Sequence, residues 1–427
     1  MIIRGLILLI PIVGYSQSLI VSDITHEGNT FTKDYIISRE IQHKKGIPLD
    51  STIAEEDKNK LLNLGIFADV SWRAIPLEDR TIKLEYRIVE NDDFFGGRFF
   101  GLGAPVYDEK TGWSFSGGGF LKNFRGRNEQ VGFGFSTGGL NMIAFAYSNP
   151  WITGDHVSFS SDIVKNQYDH PFILSTVEIQ SLEMNIGRYF GYERKTSLGF
   201  ELEEYHFKND TLFSKYQLIA PQGSFAYDTR DLYDNPRKGV LLRQMFFSRF
   251  DLKGDLEKNI TWIQTISIYK QLSNLESKRP WIFAWGLSTQ LNIGIKDQRF
   301  ISAMGSGRTV RGFSYPNRLT YYDEDQSYRF GFNNYSTSIE LRKIVIPRTV
   351  MLDRYEFGAT IAGFIDYGAT NQDEFSKLFN SKGILGTGLS FQFEGPWPSI
   401  LRIDYGWGFY GGQNKGRALH LDIGHKI

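Results

Sequence analysis

Three sets of residues in this chain have the types and spacing to do chemistry. Gly134-Phe135-Ser136-Thr137-Gly138 has the G-x-S-x-G spacing of a nucleophile elbow, in which a strand-to-helix turn presents a serine to a His and an Asp. Here the segment alternates like a strand from Val131 to Ser136 and runs into a Gly-Gly hairpin signal, so Ser136 reads as a strand residue. The seven histidines (26, 43, 156, 170, 206, 420 and 425) include no H-x-x-x-H pair. The chain has no cysteine, which removes thiol catalysis, Cys-ligated metals and disulfides together. With no phosphate loop or dinucleotide fingerprint either, the sequence predicts no enzyme, no metal site and no cofactor.

The third set is ionic. Asp366 shares a face with Thr360, Ala362 and Phe364, while Ile361, Ile365 and Tyr367 take the other. The same alternation puts Asp404 with Arg402, and Glu340 with Arg342, Ser336 and Ser338. Near them in sequence, Gly305-Ser306-Gly307-Arg308-Thr309-Val310-Arg311-Gly312-Phe313 gives a flexible approach to an Arg followed by Gly-Phe, the composition of a loop tip built to insert.

Those charges need elements to position them. The 48 basic and 48 acidic residues cancel over 427 positions, which argues against nucleic acid as a partner. Mean hydropathy is −0.30, and past the first fifteen residues no run approaches about 18 apolar residues, so a helical membrane protein is excluded. A membrane β-barrel is not, because only every second residue of its strands meets lipid. Residues 1–16 have a basic start, an apolar core (Gly5 to Gly14) and a small-residue exit (Gly14, Ser16), the pattern of a signal peptide. Residues 17–92 read β-α-α-β-β, with Thr32 capping a first helix that runs toward Gly46 and Ser51 capping a second.

From Phe94 onward period-2 alternation takes over. Trp281, Phe283, Trp285, Leu287 and Leu291 share one face; Leu385, Leu389, Phe391 and Phe393 oppose Gly386, Gly388, Ser390 and Gln392. Segments near 95–105, 112–121, 130–138, 141–149, 156–166, 176–188, 194–207, 214–227, 239–252, 257–272, 280–293, 334–346, 355–367, 384–394, 399–409 and 417–427 make sixteen strands. An even number suits a single-chain bacterial barrel. The prediction is a membrane all-β fold, a 16-stranded antiparallel transmembrane β-barrel over 93–427, preceded by one small α+β module. The connection 294–333 far exceeds ordinary loop lengths, and such loops are usually functional.

Val310-Arg311-Gly312-Phe313 resembles the VRG[FY] tip of the reentrant loop in BamA/TamA-type outer-membrane assembly proteins, the bacterial surface antigen barrels. Gly28-Asn29, Arg39-Glu40 and Leu64-Gly65-Ile66-Phe67-Ala68-Asp69-Val70 resemble one POTRA domain. Asn123-Phe124-Arg125-Gly126-Arg127, Tyr147-Ser148-Asn149-Pro150-Trp151, Tyr227-Asp228-Thr229-Arg230-Asp231 with Pro236 and Gly239, Phe364-Ile365-Asp366-Tyr367-Gly368 and Leu401-Arg402-Ile403-Asp404-Tyr405 are similar to family segments in the same order. The resemblance implies that the loop re-enters the barrel and that Arg311 meets Asp366, with Asp404 a second partner; the alternation also places Glu340 in the lumen. It implies a weak lateral seam between a glycine-rich first strand (Gly96, Gly97, Gly101, Gly103) and the last strand, which carries Gly424. The chain ends in Ile427 where such barrels typically finish with an aromatic.

The implied setting is the outer membrane of a Gram-negative bacterium, with the POTRA domain in the periplasm. The implied partners are the lipid bilayer, unfolded or exported polypeptide clients, and periplasmic proteins or lipoproteins met through the POTRA domain. The implied function is assistance to assembly, insertion or translocation of polypeptides. A dedicated secretion transporter and a passive pore or structural protein are the alternatives.

Overall fold

The computed structural model describes residues 19–427 apart from 79, 92–98, 109, 154–155, 209–212, 255–257, 275, 295, 297–299, 352–354, 373–374 and 396–399. The signal segment 1–16 and the seam glycines Gly96 and Gly97 lie outside the described residues.

The N-terminal domain follows the β-α-α-β-β order: β1 (Val21–Glu27), α1 (Asp34–Ser38), α2 (Ser51–Asn63), β2 (Phe67–Pro76) and β3 (Ile82–Glu90). Its sheet runs β1-β3-β2, with β1 parallel and β2 antiparallel to the central β3. Ile36, Ile37 and Leu61 from the helices pack on Val21, Phe67, Val70, Leu84 and Tyr86 from the sheet. Two helix starts differ from expectation. α2 is capped by Asp50, whose carboxylate accepts from Thr52 N (2.8 Å) and Ile53 N (3.3 Å), and Ser51 is the first helical residue. Thr32 caps nothing, because its hydroxyl and amide both donate to Glu90 (2.5 and 2.7 Å). Burial raises the Glu90 pKa, but these bonds and those from Thr30 more than offset it and hold the carboxyl below its usual value. α1 also stops at Ser38, well short of Gly46, since the amides of Gln42 and His43 donate to the buried Asp57 carboxylate (2.9 and 3.0 Å) instead of continuing a helix.

The barrel rises through β4 (Phe99–Asp108), β5 (Gly112–Phe124), β6 (Glu129–Gly138), β7 (Leu140–Asn149), β8 (Val157–Asp169) and β9 (Thr176–Phe190). It continues through β10 (Arg194–Lys208), β11 (Phe213–Asp228), β12 (Gly239–Asp251), β13 (Asn259–Gln271) and β14 (Trp281–Ile293). A long loop, residues 294–332, holds a two-residue pair, β15 (Ser302–Ala303) with β16 (Phe330–Gly331), and a short helix α3 (Arg318–Tyr322). The wall resumes with β17 (Asn333–Met351), β18 (Tyr355–Asn371), β19 (Ile384–Glu394), β20 (Leu401–Tyr410) and β21 (Gln413–Ile423). All sixteen lie in one antiparallel sheet in chain order from β4 to β21, β14 pairing directly with β17. Among the described residues no ladder joins β4 to β21, so the barrel is nearly closed. The last strand ends at Ile423 and not at 427: Gly424 N makes a last backbone bond to Ile400 O (2.7 Å), and its φ of +93° turns the chain away, so it terminates the seam strand.

The wall is inverted relative to a water-soluble sandwich. Ile186, Leu198, Phe246, Ile365 and Leu389 point outward and are exposed, while Ser390, Asp404, Arg402 and Glu340 point inward and are buried. On β8 to β11 the apolar row Ile163, Leu182, Leu202, Ile219 gives way abruptly to Lys165, Gln180, Glu204, Gln217. Beyond it, Glu178, His206 and Lys215 join the ionic rows. That boundary marks one edge of the lipid-facing band. Gly101 and Gly103 face outward on β4 beside Gly119 and Gly117 of β5, and phenylalanine rings cover the gap; a Cβ on Gly119 would lie 2.1 Å from Phe99 and one on Gly117 2.7 Å from Phe135.

The N-terminal domain sits on the turns at one end, the near mouth. Lys33 N donates to Gly126 O (3.0 Å) in the β5–β6 turn, and Asn123 Nδ2 donates to Thr32 Oγ1 (2.7 Å). Arg39 stacks on Trp151 (4.2 Å) and Lys60 on Tyr192 (3.9 Å). Gly126 is required there: at φ +72°, a Cβ would lie 2.4 Å from Phe31 O.

Asp57→Ala strips the acceptor from Gln42 N, His43 N and Tyr86 Oη in a site of zero exposure. The expected loss is about 3 kcal/mol of domain stability, read by hydrogen exchange of the β3 amides in the full chain; unchanged exchange would show the carboxylate is dispensable.

Candidate functional site in the barrel lumen

The long loop enters the lumen as a stapled arch. Arg329, at the end of the loop's 3-10 turn, donates to Met304 O (3.0 Å) and Ser314 O (2.6 Å), holding its two limbs together. Gly305 N donates to Thr309 Oγ1 (2.9 Å) and Ser306 N to Val310 O (3.2 Å), closing a tight turn before the tip. At the far end, Tyr315, Tyr321 and Phe330 of the loop pack around Phe172 from the β8–β9 connection, with centroids 5.2–5.9 Å apart. The outer part of the loop is thereby anchored on aromatic contacts.

At the tip, Arg311 has zero exposure and uses all its donors. Nε and Nη2 form a fork on Asp366 Oδ2 and Oδ1, both at 2.8 Å. Nη1 donates to Glu340 Oε1 (2.7 Å) and, at the 3.5 Å limit, to Asp404 Oδ1. Nη2 also reaches Ser338 Oγ (3.1 Å), and the Arg311 amide donates to Asp366 Oδ2 (3.0 Å). The Phe364 ring lies 3.6 Å from the guanidinium carbon, closing its remaining face. Two further arginines balance the charge: Arg342 Nε donates to Glu340 Oε2 and Arg402 Nε faces Asp404 Oδ2, both at 2.7 Å. Three buried carboxylates thus meet three buried guanidiniums, as burial of charge demands.

The structure therefore brings together Arg311, Asp366, Glu340 and Asp404. Asp366 is the bidentate partner; Asp404 is chiefly the partner of Arg402. Val310 and Phe313 are buried with Met304 and Ile384, and the Arg329 guanidinium lies over the Phe313 ring (5.3 Å).

What sequence reading did not extract is the receptor for the tip. Gly386, Gly406, Gly408 and Gly368 point inward, and a Cβ on each would strike the loop: 1.9 Å from Arg311 O, 3.1 Å from Gly312 N, 2.5 Å from Phe313 and 2.9 Å from Val310. The alternating glycines of β19 and β20 are a trough cut to the loop's backbone. His420 on β21 was also missed, since a lone histidine has no pattern; its Nε2 accepts from Gly312 N (3.1 Å). The loop holds the seam strand in two more ways. Arg308 pairs with Asp422 (3.3 Å), and Arg402 Nη2 bridges Gly307 O (2.8 Å) and Asp422 (3.2 Å). Past the Gly424 turn, Lys426 Nζ donates to the carbonyls of Arg308 (3.0 Å) and Thr309, and Ile427 reaches Gly286 on β14. Ser136 lies in mid-strand on β6 with its Oγ 2.7 Å from Ser116 Oγ, and the chain continues from it into β7.

Gly312 combines φ +92° with a would-be Cβ 2.5 Å from the Trp407 carbonyl carbon. Gly312→Ala should therefore lift the tip from its trough, seen as new protease cleavage within 305–315. Gly411→Ala, at φ +58° with open space around it, carries only the left-handed penalty of about 1 kcal/mol and should leave the loop protected. Equal protection in both variants would contradict the trough.

Residues 123–427 match the family model described as the Omp85 superfamily domain, and residues 19–91 match that of POTRA, the surface antigen variable number repeat. Among curated proteins, outer membrane protein assembly factor BamA of Neisseria meningitidis serogroup B is 23% identical over 154 residues, which is 36% of this chain and 19% of that protein's length. Among solved structures, BamA from Haemophilus ducreyi lacking POTRA domains 1–3 is similar with a TM-score of 0.54 at 18% identity, covering 94% of this chain and 84% of that one. CdiB from Escherichia coli is similar at 0.51 and 11% identity, covering 97% and 91%. The two family models cover most of the sequence, and the chain belongs to the Omp85 superfamily, with a BamA/TamA-type barrel and a POTRA domain.

Proposed function

We propose that this protein assists the assembly, insertion or translocation of polypeptides at the outer membrane of a Gram-negative bacterium. The POTRA domain lies in the periplasm and the near mouth opens toward it. The observation that carries the reading is that, among the described residues, no ladder joins β4 to β21, while the loop holds β21 from inside. A strand edge without its partner can template another strand, through the backbone groups it leaves free. The loop tip then acts as a latch: Arg311 fixes it to β17 and β18, and Arg308 and Gly312 fix β21 to it. Such a barrel needs no cofactor and performs no covalent step, and its clients enter as extended, unfolded chains.

Depleting the protein in its native host and scoring folded barrels by heat-modifiability tests this. A broad fall in folded outer-membrane barrels is the expected result. Loss of a single exported protein with barrels unchanged would replace it with a dedicated transporter, and loss of solute flux alone with a passive pore.

The latch has its own test. Arg311→Ala leaves Asp366 and Glu340 buried without their cation, an expected cost of about 3–5 kcal/mol read as a lowered temperature of heat-modifiability. Adding Asp366→Ala to that variant should cost little more; fully additive losses would mean that the two side chains do not act as a pair.

A further inference from the structure

The β11–β12 connection, residues 229–238, is ten residues long where hairpin loops commonly have two to five. It is internally ordered. Arg230 forks onto Asp228 (2.9 and 2.8 Å), and Asp231 Oδ1 accepts from the amides of Arg237 (2.9 Å) and Lys238 (3.2 Å). Gly239, at φ +109°, brings the limbs together where a Cβ would lie 2.3 Å from Thr229 O. Its far side does not stay over its own strands. Asn235, only 5% exposed, donates from Nδ2 to Glu394 Oε1 at 2.5 Å. Glu394 ends β19, and the sheet order from β12 is β13, β14, β17, β18, β19, five strands along the wall. Neighbouring strands stand about 4.8 Å apart, so the two residues' strands are separated by roughly 24 Å of wall. Contact between them requires the connection to cut across the near mouth.

Its outer side is gripped by the POTRA domain. Asn63, the last residue of α2, donates from Nδ2 to Asp231 O (3.1 Å) and accepts Tyr233 N on Oδ1 (2.9 Å). One side-chain amide thus pairs with the connection's backbone in both directions. Two cavities flank it: one of about 550 Å³ between the POTRA domain and the wall from β6 to β12, another of about 390 Å³ beside Phe120, Lys122 and Arg348. Tyr233 lines both together with Asn63, Leu64 and Gln130, so the connection and the end of α2 stand together between them.

We infer that residues 229–238 are a strap that closes the lumen at its near mouth, and that the POTRA domain holds the strap shut through Asn63. Displacing that domain removes both Asn63 bonds. The strap is then retained across the mouth by Asn235 and Glu394, a contact that water can replace once the mouth opens. The position of a domain outside the barrel thereby sets access to the space beneath the latch. The inference rests on the proposed function only in taking the lumen as a route, and its test uses no client, so the two can fail separately.

The chain has no native cysteine, so Asn235→Cys with Glu394→Cys places the only two thiols in the molecule. The full-length pair variant, closed by oxidation or a short thiol-cleavable bifunctional reagent, is compared with itself after reduction by ion conductance in planar bilayers. Closure should suppress openings and reduction restore them, a contrast within one folded protein. Asn63→Ala should raise the open fraction by about tenfold, the effect of losing its hydrogen bonds to the strap. Heat-modifiability certifies that each variant is a folded barrel. Equal conductance in the closed pair, the reduced pair and Asn63→Ala, zero included, would overturn the strap.

Discussion

The reentrant loop and the lumen face of β17 to β21 are arranged around one buried guanidinium. Arg311 is carried on a loop, not on the wall, and a guanidinium without water must have its charge and its N–H groups met. Asp366, Glu340, Ser338 and the Phe364 ring do this from two adjacent strands. The carboxylates in turn need more than one cation, and Arg342 and Arg402 supply it from β17 and β20. The cluster is therefore neutral only with the loop in place.

The seam follows from the same arrangement. A closed barrel satisfies its first and last strands by pairing them, which lipid otherwise demands. Here β21 draws its restraint from within: Asp422 to Arg308 and Arg402, His420 to Gly312, and the tail beyond Gly424 to the loop carbonyls. Those are side-chain contacts to a loop tip, whereas β20 holds β21 by a backbone ladder on its other edge. Among the described residues β21 thus has a laddered edge toward β20 and no ladder toward β4. On the β4 side the paired glycines, covered by phenylalanine rings, keep an apolar outer surface while leaving little side-chain bulk along the seam.

At the near mouth the POTRA domain is docked through hydrogen bonds and cation–π contacts. Its own core is complete without the barrel. Such an interface holds an orientation without fusing two domains into one body, which suits a domain whose movement would matter.

The inside–outside parity of β14 and of β17 to β20 is legible in the sequence, because in a barrel each side chain faces either lipid or lumen and period-2 alternation carries that choice directly. The same parity put Asp366, Asp404 and Glu340 in the lumen, and the Val310-Arg311-Gly312-Phe313 resemblance supplied their partner. Helix starts were less legible: Thr32 and Ser51 are good capping residues, but Glu90 and Asp50 claimed the local donors. β21 ends at Ile423, before the expected 427; alternation does not show where the chain turns at Gly424. That Asp404 turns chiefly to Arg402, that inward glycines form a trough for the tip's backbone, and that Asn63 and Glu394 hold one connection from two sides were decided only by tertiary structure. Each depends on where the closed sheet places strands far apart in the chain, and a one-dimensional period has no term for that.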